Sequence, residues 1–145
     1  PEMRTVIMPE TVTKIGLDAF RNNQSVEYIE ANGVKEIASN SFRDCTAVTQ
    51  LGLPSLTDVS GGAFMNCYSL GSVDIQSVKY LGAQAFYGCI SLESLLLPNV
   101  EYIDINVFVK SGVNHIFCKS LKEINSFPVI NNSVVFLPSS AVTIA

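Results

Sequence analysis

Five phenylalanines, Phe20, Phe42, Phe64, Phe86 and Phe108, follow one another at intervals of 22 residues. Phe fills about one position in eighteen, so four successive matches arise by chance roughly once in a hundred thousand trials, and an internal repeat is the better account. Other columns keep the same period. Six residues past the Phe lie Val26, Val48, Leu70 and Leu92, and nine past lie Ile29, Leu51, Val73 and Leu95. Fourteen past lie Val34, Leu56, Val78 and Val100, and seventeen past lie Ile37, Val59, Leu81 and Ile103. Asn23, Cys45, Cys67 and Cys89 form a polar or thiol column three past the Phe, and Ala19, Ser41, Ala63, Ala85 and Val107 precede it. The period breaks twice. The opening unit carries one extra residue between Val6 and Val12, and the fifth is one residue short, so that Val113, Ile116, Leu121 and Ile124 arrive early.

Each unit reads the same way locally. Leu51-Gly52-Leu53-Pro54 alternates apolar with small or polar residues, the pattern of a short strand with one buried face. Pro54 and Pro98 sit where such a strand ends, because Pro cannot donate to a ladder. Leu56-Thr57-Asp58-Val59 is either a second extended segment or a turn. Gly62-Ala63-Phe64-Met65-Asn66-Cys67 reads as a single helical turn, closed by the column Asn22, Asp44, Asn66 and Gly88, residue types that tolerate left-handed backbone. No unit can bury its apolar side alone. Stacking places equivalent residues one strand spacing apart, about 4.8 Å, and buries them as a continuous core.

Composition closes off several functions. The net charge of −4 offers no basic face for nucleic acid or anionic lipid. The longest apolar runs, such as Leu95-Leu96-Leu97, fall far short of the roughly 20 residues of a membrane-spanning helix, so no membrane insertion is expected. The chain starts at Pro1 and shows no signal peptide, and it is expected to be trimmed or a piece of a longer array.

The columns combine into S-L-x-x-L-x-L-P-x-V-x-x-I-x-x-x-A-F-x-x-C, clearest from Ser69 to Cys89 and from Ser91 to Phe108. This resembles the bacterial-surface subclass of leucine-rich repeats called BspA-like or Treponema-type, and the likeness runs from Val6 to about Ile124. The expected fold is therefore a leucine-rich-repeat solenoid. It is a β-rich, right-handed superhelix of about five 22-residue repeats with a parallel strand ladder on the concave face. Residues 1–125 form the array, and 126–145 an irregular tail, a cap or the start of a further repeat. The resemblance also implies a secreted or cell-surface adhesion module without enzymatic activity, whose partner is a host matrix or cell-surface protein. A structural spacer and an intracellular scaffold are the alternatives.

Chemistry-bearing residues find little support as catalysts. Cys45, Cys67, Cys89 and Cys118 allow two disulfides or a zinc site on count alone. Stacked side chains in one column are parallel, however, and do not converge on a metal; Asn23 and Ser111 also occupy the slot, which fits buried free thiols acting as small hydrophobes. His115 is the single histidine, no Gly-x-Ser-x-Gly elbow occurs, and Gly61-Gly62 is not followed by Lys-Ser/Thr. Glu27 and Glu30 lie on an open ladder and not across a cleft, as paired glycosidase carboxylates would. No catalytic, metal or cofactor site is expected. The sequons at Asn23 and Asn131 are what a chain of this composition yields by chance. The outward strand positions are the expected partner-binding face: Tyr28, Gln50 and His115 in one column, and Glu30, Asp74, Leu96 and Phe117 in the next. Leu96 and Phe117 form an exposed apolar pair, covered either by a partner, by the tail or by further repeats.

Overall fold

The computed structural model describes residues 4–125, 134–136 and 143–144. The apolar alternation of each unit yields one three-residue strand, and the following segment a two-residue strand. The longer strands are β1 (Thr5–Ile7), β3 (Tyr28–Glu30), β5 (Gln50–Gly52), β7 (Ser72–Asp74), β9 (Ser94–Leu96), β11 (His115–Phe117) and β13 (Val134–Phe136). The shorter are β2 (Lys14–Ile15), β4 (Glu36–Ile37), β6 (Asp58–Val59), β8 (Tyr80–Leu81), β10 (Tyr102–Ile103), β12 (Glu123–Ile124) and β14 (Thr143–Ile144). Every pairing is parallel and joins a strand to its equivalent one coil away. The result is a leucine-rich-repeat-type solenoid in which each coil contributes to two separate ladders. The segment left open between strand and turn, Leu56–Val59, supplies β6. The repeats number nearer six than five, because β1 belongs to a coil of its own with β2 and Phe20.

The repeating columns become the core. Phe42, Phe64, Phe86 and Phe108 are essentially inaccessible, as are Leu51, Leu56, Leu70, Leu81 and most of their counterparts, with Val26 and Val73 half-buried. The phenyl rings stack as one spine. Centroids are 5.1 Å apart for Phe20–Phe42, 5.6 Å for Phe42–Phe64, 5.0 Å for Phe64–Phe86 and 6.1 Å for Phe86–Phe108, with interplanar angles of 22° or less. That separation is the strand spacing plus a little, so the backbone ladder sets the stacking distance.

The segment around each Phe is not the expected helical turn; no helix forms among the described residues. Two positions per segment lie in the left-handed region: Asp18, Asn40, Gly62, Gln84 and Asn106 first, then Asn22, Asp44, Asn66, Gly88 and Lys110. Two such residues four apart cannot continue a right-handed helix. The chain makes overlapping tight turns instead, with Met65 N–H bonding Gly62 O and Cys67 N–H bonding Phe64 O. The freed donors reach into the next coil: Phe42 N–H to Ala63 O, Phe64 N–H to Ala85 O, and Asn66 N–H to Tyr87 O. A third intercoil ladder results, made of turns. The second left-handed column was visible as Asn and Asp among small residues; the first is obscured by Gln84 in one unit.

Glycines absorb both departures from the 22-residue period. A Cβ on Gly33 would collide with the Glu10 carbonyl, which belongs to the turn that carries the extra residue. A Cβ on Gly112 would collide with the Ile90 carbonyl, because the shortened fifth unit draws its chain against the coil before it, where Gly112 N–H bonds Cys89 O at 3.0 Å. Only glycine leaves room for so close a backbone approach.

Candidate interaction surface

Alternation along each three-residue strand sends the middle residue inward and its neighbours outward. Ile29, Leu51, Leu95 and Ile116 are buried between exposed or half-buried flanks, while Val73, smaller than Leu or Ile, is only half-buried. The register carries the outward columns as the sequence arranges them. Tyr28 faces Gln50, Gln50 faces Ser72, and Ser94 faces His115. In the other column Ile7 precedes Glu30, Gly52 and Asp74, and Leu96 pairs with Phe117, whose register partner is Phe136.

The surface is not uniform. The first ladder divides into a four-stranded sheet, β1-β3-β5-β7, and a three-stranded sheet, β13-β11-β9. Ala31, Leu53 and Leu97 each donate a backbone bond to the following coil, but Ile75 has no such bond to Leu96. Thr49, Gly71 and Asn114 each donate to the preceding coil, and Glu93 does not donate to Gly71. The gap falls between Asp74 and Leu96. The structure thus brings the seven expected surface residues onto one face but sorts them into two sectors: Tyr28, Glu30, Gln50 and Asp74 on one side, and Leu96, His115 and Phe117 on the other.

The first sector is acidic. Tyr28 Oη donates to Glu30 Oε2 at 3.3 Å, and Asn32 Nδ2 donates to Glu30 Oε1 at 2.8 Å. Partial desolvation and the adjacent carboxylate push the Tyr28 phenol above its ordinary pKa. Gly52 lies between Glu30 and Asp74 and leaves a notch in the column; a Cβ there would find only ordinary contacts, with the Tyr28 hydroxyl at 3.9 Å. No Lys or Arg occupies an outward position of β1, β3, β5, β7, β9 or β11. The second sector is apolar. Leu96 is 50% exposed and Phe117 39%, and together with Ser94, His115 and the edges of Leu95 and Ile116 they line an open depression of about 290 Å³. Residues 134–136 pair edge to edge with β11, and so extend the sheet beside this depression. Residues 143–144 pair with β12 in the second ladder, and the rest of the stretch expected as a covering tail lies outside the described residues.

The second ladder carries a surface that the columns of core residues did not bring out. Lys14, Glu36, Asp58, Tyr80, Tyr102 and Glu123 run in register along it. Its polar groups are tied from coil to coil. Lys14 Nζ lies 3.2 Å from Glu36, Lys122 Nζ 2.6 Å from Glu101, and Tyr80 Oη donates to Asp104 Oδ2 at 2.9 Å. Asn125 Nδ2 also donates to Asp104, at 3.2 Å. The Ile105 N–H bond, with those from Asn125 and Tyr80, holds the Asp104 carboxyl below its usual range. The signal was present in the sequence as Lys, Glu, Asp and Tyr one residue before each Ile37-column position.

The cysteines lie inside. All four are free and buried, and among the described residues no group of His, Cys, Asp and Glu converges as metal ligands would. Cys45, Cys67 and Cys89 each donate to the carbonyl of the preceding coil's Phe, at 2.9 to 3.0 Å. Asn23 and Ser111 fill the same slot with hydrogen bonds of their own, to Val26 N–H and Phe108 O. Burial pushes the thiol pKa up to about 11 in Cys45 and about 12 in Cys89 and Cys118, so none is a ready nucleophile.

The repeat, with its Ala-Phe-x-x-Cys turn, matches a known family profile, "BspA type Leucine rich repeat region", in six copies over residues 2–114. The chain belongs to the BspA-type leucine-rich repeat family. Among solved structures this BspA-type array is similar to the leucine-rich repeat protein TpLRR of T. pallidum, with a TM-score of 0.86 and 22% identity, over 98% of this chain and 73% of that one. A leucine-rich repeat protein from Bacteroides ovatus aligns with a TM-score of 0.60 and 28% identity, over 92% of this chain and 33% of that one. A leucine rich cell surface protein from Faecalibacterium prausnitzii aligns with a TM-score of 0.50 and 19% identity, over 97% of this chain and 61% of that one. A search of curated proteins finds no match. The BspA-type assignment covers the strands that carry all seven surface residues except His115 and Phe117, which lie just past its limit.

Proposed function

We propose that this array is a non-catalytic protein-binding module, displayed at a cell surface or secreted, that recognises its partner through the first strand face. The observation that carries this reading is the Leu96–Phe117 depression: two large apolar side chains held outward on rigid, paired strands. Exposed apolar area of this kind, flanked by polar residues, is a usual mark of an interaction site. Tyr28 and Phe117 have the size and stiffness of anchor residues, which bury much area for little loss of rotamer freedom. Glu30, Gln50, Asp74 and His115 supply the polar surround. The leucine-rich repeat family supports the protein-binding role, and the likeness to a protein described as a cell surface protein supports the location. The four buried thiols, held protonated and so poor nucleophiles, support a non-catalytic reading. Binding through one short face is weak per site and gains strength from repetition of arrays or copies.

The test is retention of the array on a panel of immobilised, purified matrix and cell-surface proteins. The expected result is that at least one retains the wild-type chain and releases the double variant Leu96→Ser/Phe117→Ser at unchanged thermal stability. Retention that ignores both substitutions rejects the first face as the site.

A further inference from the structure

The two sectors of the first face lie in fixed order along one line. We propose that they form a bipartite cradle for an extended, cationic-apolar segment of a partner protein, with an Arg or Lys in the Gly52 notch and an apolar side chain four residues later in the Leu96–Phe117 depression. This inference rests on the first-face reading above and adds the chemistry of what binds there.

The notch fits a cation for three reasons. Glu30 and Asp74 flank it one strand away on either side, and neither is ion-paired with a Lys or Arg among the described residues. The Tyr28 hydroxyl overhangs it and fixes one Glu30 oxygen, while Asn32 fixes the other, so the carboxylate is already oriented. A planar guanidinium suits such a carboxylate pair better than an ammonium does. In sequence, Lys119 lies two residues past Phe117, at the far end of the line, and Arg4 stands just before β1 at the other, outside the ion pairs of either carboxylate. The depression fits an apolar side chain, being walled by Leu96, Phe117 and the edges of Leu95 and Ile116.

Geometry sets the spacing. From Gly52 on β5 to the midpoint of β9 and β11 is two and a half strand intervals, or about 12 Å at 4.8 Å each. An extended chain advances about 3.3 Å per residue and returns to the same face every second residue, so i and i+4 lie about 13 Å apart and point the same way. A segment laid across the strands therefore places a cation at i and an apolar residue at i+4. It also crosses the gap between β7 and β9, where Ile75 N–H lacks a partner in the neighbouring coil.

Fluorescence anisotropy with the full chain and labelled decapeptides tests this. One peptide has Arg and Phe four residues apart in a Ser/Thr background, a second has Glu for Arg, and a third has the pair three residues apart. The first is expected to bind about tenfold more tightly than either control, with an advantage that shrinks as salt is raised. Gly52→Val, which fills the notch without backbone strain, is expected to weaken it about fivefold. Glu30→Gln/Asp74→Asn should erase the preference for Arg over Glu, and Leu96→Ser should weaken all binding about thirtyfold. Equal affinity for the three peptides overturns the proposal. So does the absence of peptide binding by a chain that the matrix panel retains through Leu96 and Phe117, a result that leaves the first-face reading standing. Sedimentation showing a dimer that Leu96→Ser dissolves assigns the face to a second copy. Slow maleimide labelling of Leu96→Cys assigns it to the chain's own tail. Either result also overturns the proposal.

Discussion

The two strand ladders are made by the same coils, yet they behave as different surfaces. The second is continuous over seven strands, and its outward polar groups bond one coil to the next: Lys14 to Glu36, Tyr80 to Asp104, Lys122 to Glu101. The first is divided between β7 and β9, and the bonds to Glu30 stay within its own coil. One ladder directs its side chains to holding the stack together. The other leaves Glu30, Gln50, Asp74 and Leu96 with no cross-coil side-chain bond among the described residues. A solenoid has stability to place and a surface to offer, and here the two duties fall on different edges of the same repeat.

The strongest way to break this division is to strike the spine that both ladders share. Phe64→Ala leaves a cavity between Phe42 and Phe86, and the expected loss is about 3–5 kcal/mol in urea unfolding. A loss under about 1 kcal/mol would mean that the coils do not depend on the column. Alkali is the next lever. The thiols are raised in the folded state, so they bind more protons there than in the unfolded chain once pH passes the ordinary thiol value of 9.0. Their stabilising contribution is complete below that pH and is lost as pH rises towards 11 to 12, at up to about 1.4 kcal/mol per pH unit for each thiol. Thermal melts should be flat from pH 7 to 8.5 and fall steeply above 9, and a Cys67→Ala variant should fall less steeply.

Gly112→Ala tests the repair of the short repeat. Its methyl group meets the Ile90 carbonyl, and the expected cost is about 1–3 kcal/mol, with Gly52→Ala, which meets nothing closer than 3.8 Å, as the tolerant control. The smallest effects sharpen the contrast between ladders. Tyr80→Phe removes a bond between coils and should cost about 0.5–1 kcal/mol. Leu96→Ser should stay within about 0.5 kcal/mol of wild type by the same thermal melt, since its side chain is half-exposed. Equal losses at the two sites would erase the distinction.

Much of this was legible from the chain. The Phe, Leu and Val columns foretold the core because burial by stacking requires like side chains at like places. The outward columns followed from two-residue alternation, down to Leu96 beside Phe117. What stayed hidden depends on partners in another coil. Ala63-Phe64-Met65 has the composition of a helical turn, and only the left-handed residues Gly62 and Asn66 together divert its N–H groups to the next coil. Tyr80 and Asp104 are 24 residues apart, off the period by two, so column reading did not join them. The gap at β7 and β9 has no mark beyond Val73, the one half-buried member of that column in the units from Ile29 to Ile116.

Amide hydrogen exchange, read residue by residue, tests the central division most directly. The Phe42, Phe64 and Phe86 amides of the turn ladder and the Gly82 and Asp104 amides that follow the second strands should exchange only through global unfolding. The Ile75 and Glu93 amides on either side of the gap should exchange by local opening, faster by orders of magnitude. Uniform protection across all of these amides would show one seamless stack, and would contradict an array that keeps one edge for stability and the other for recognition.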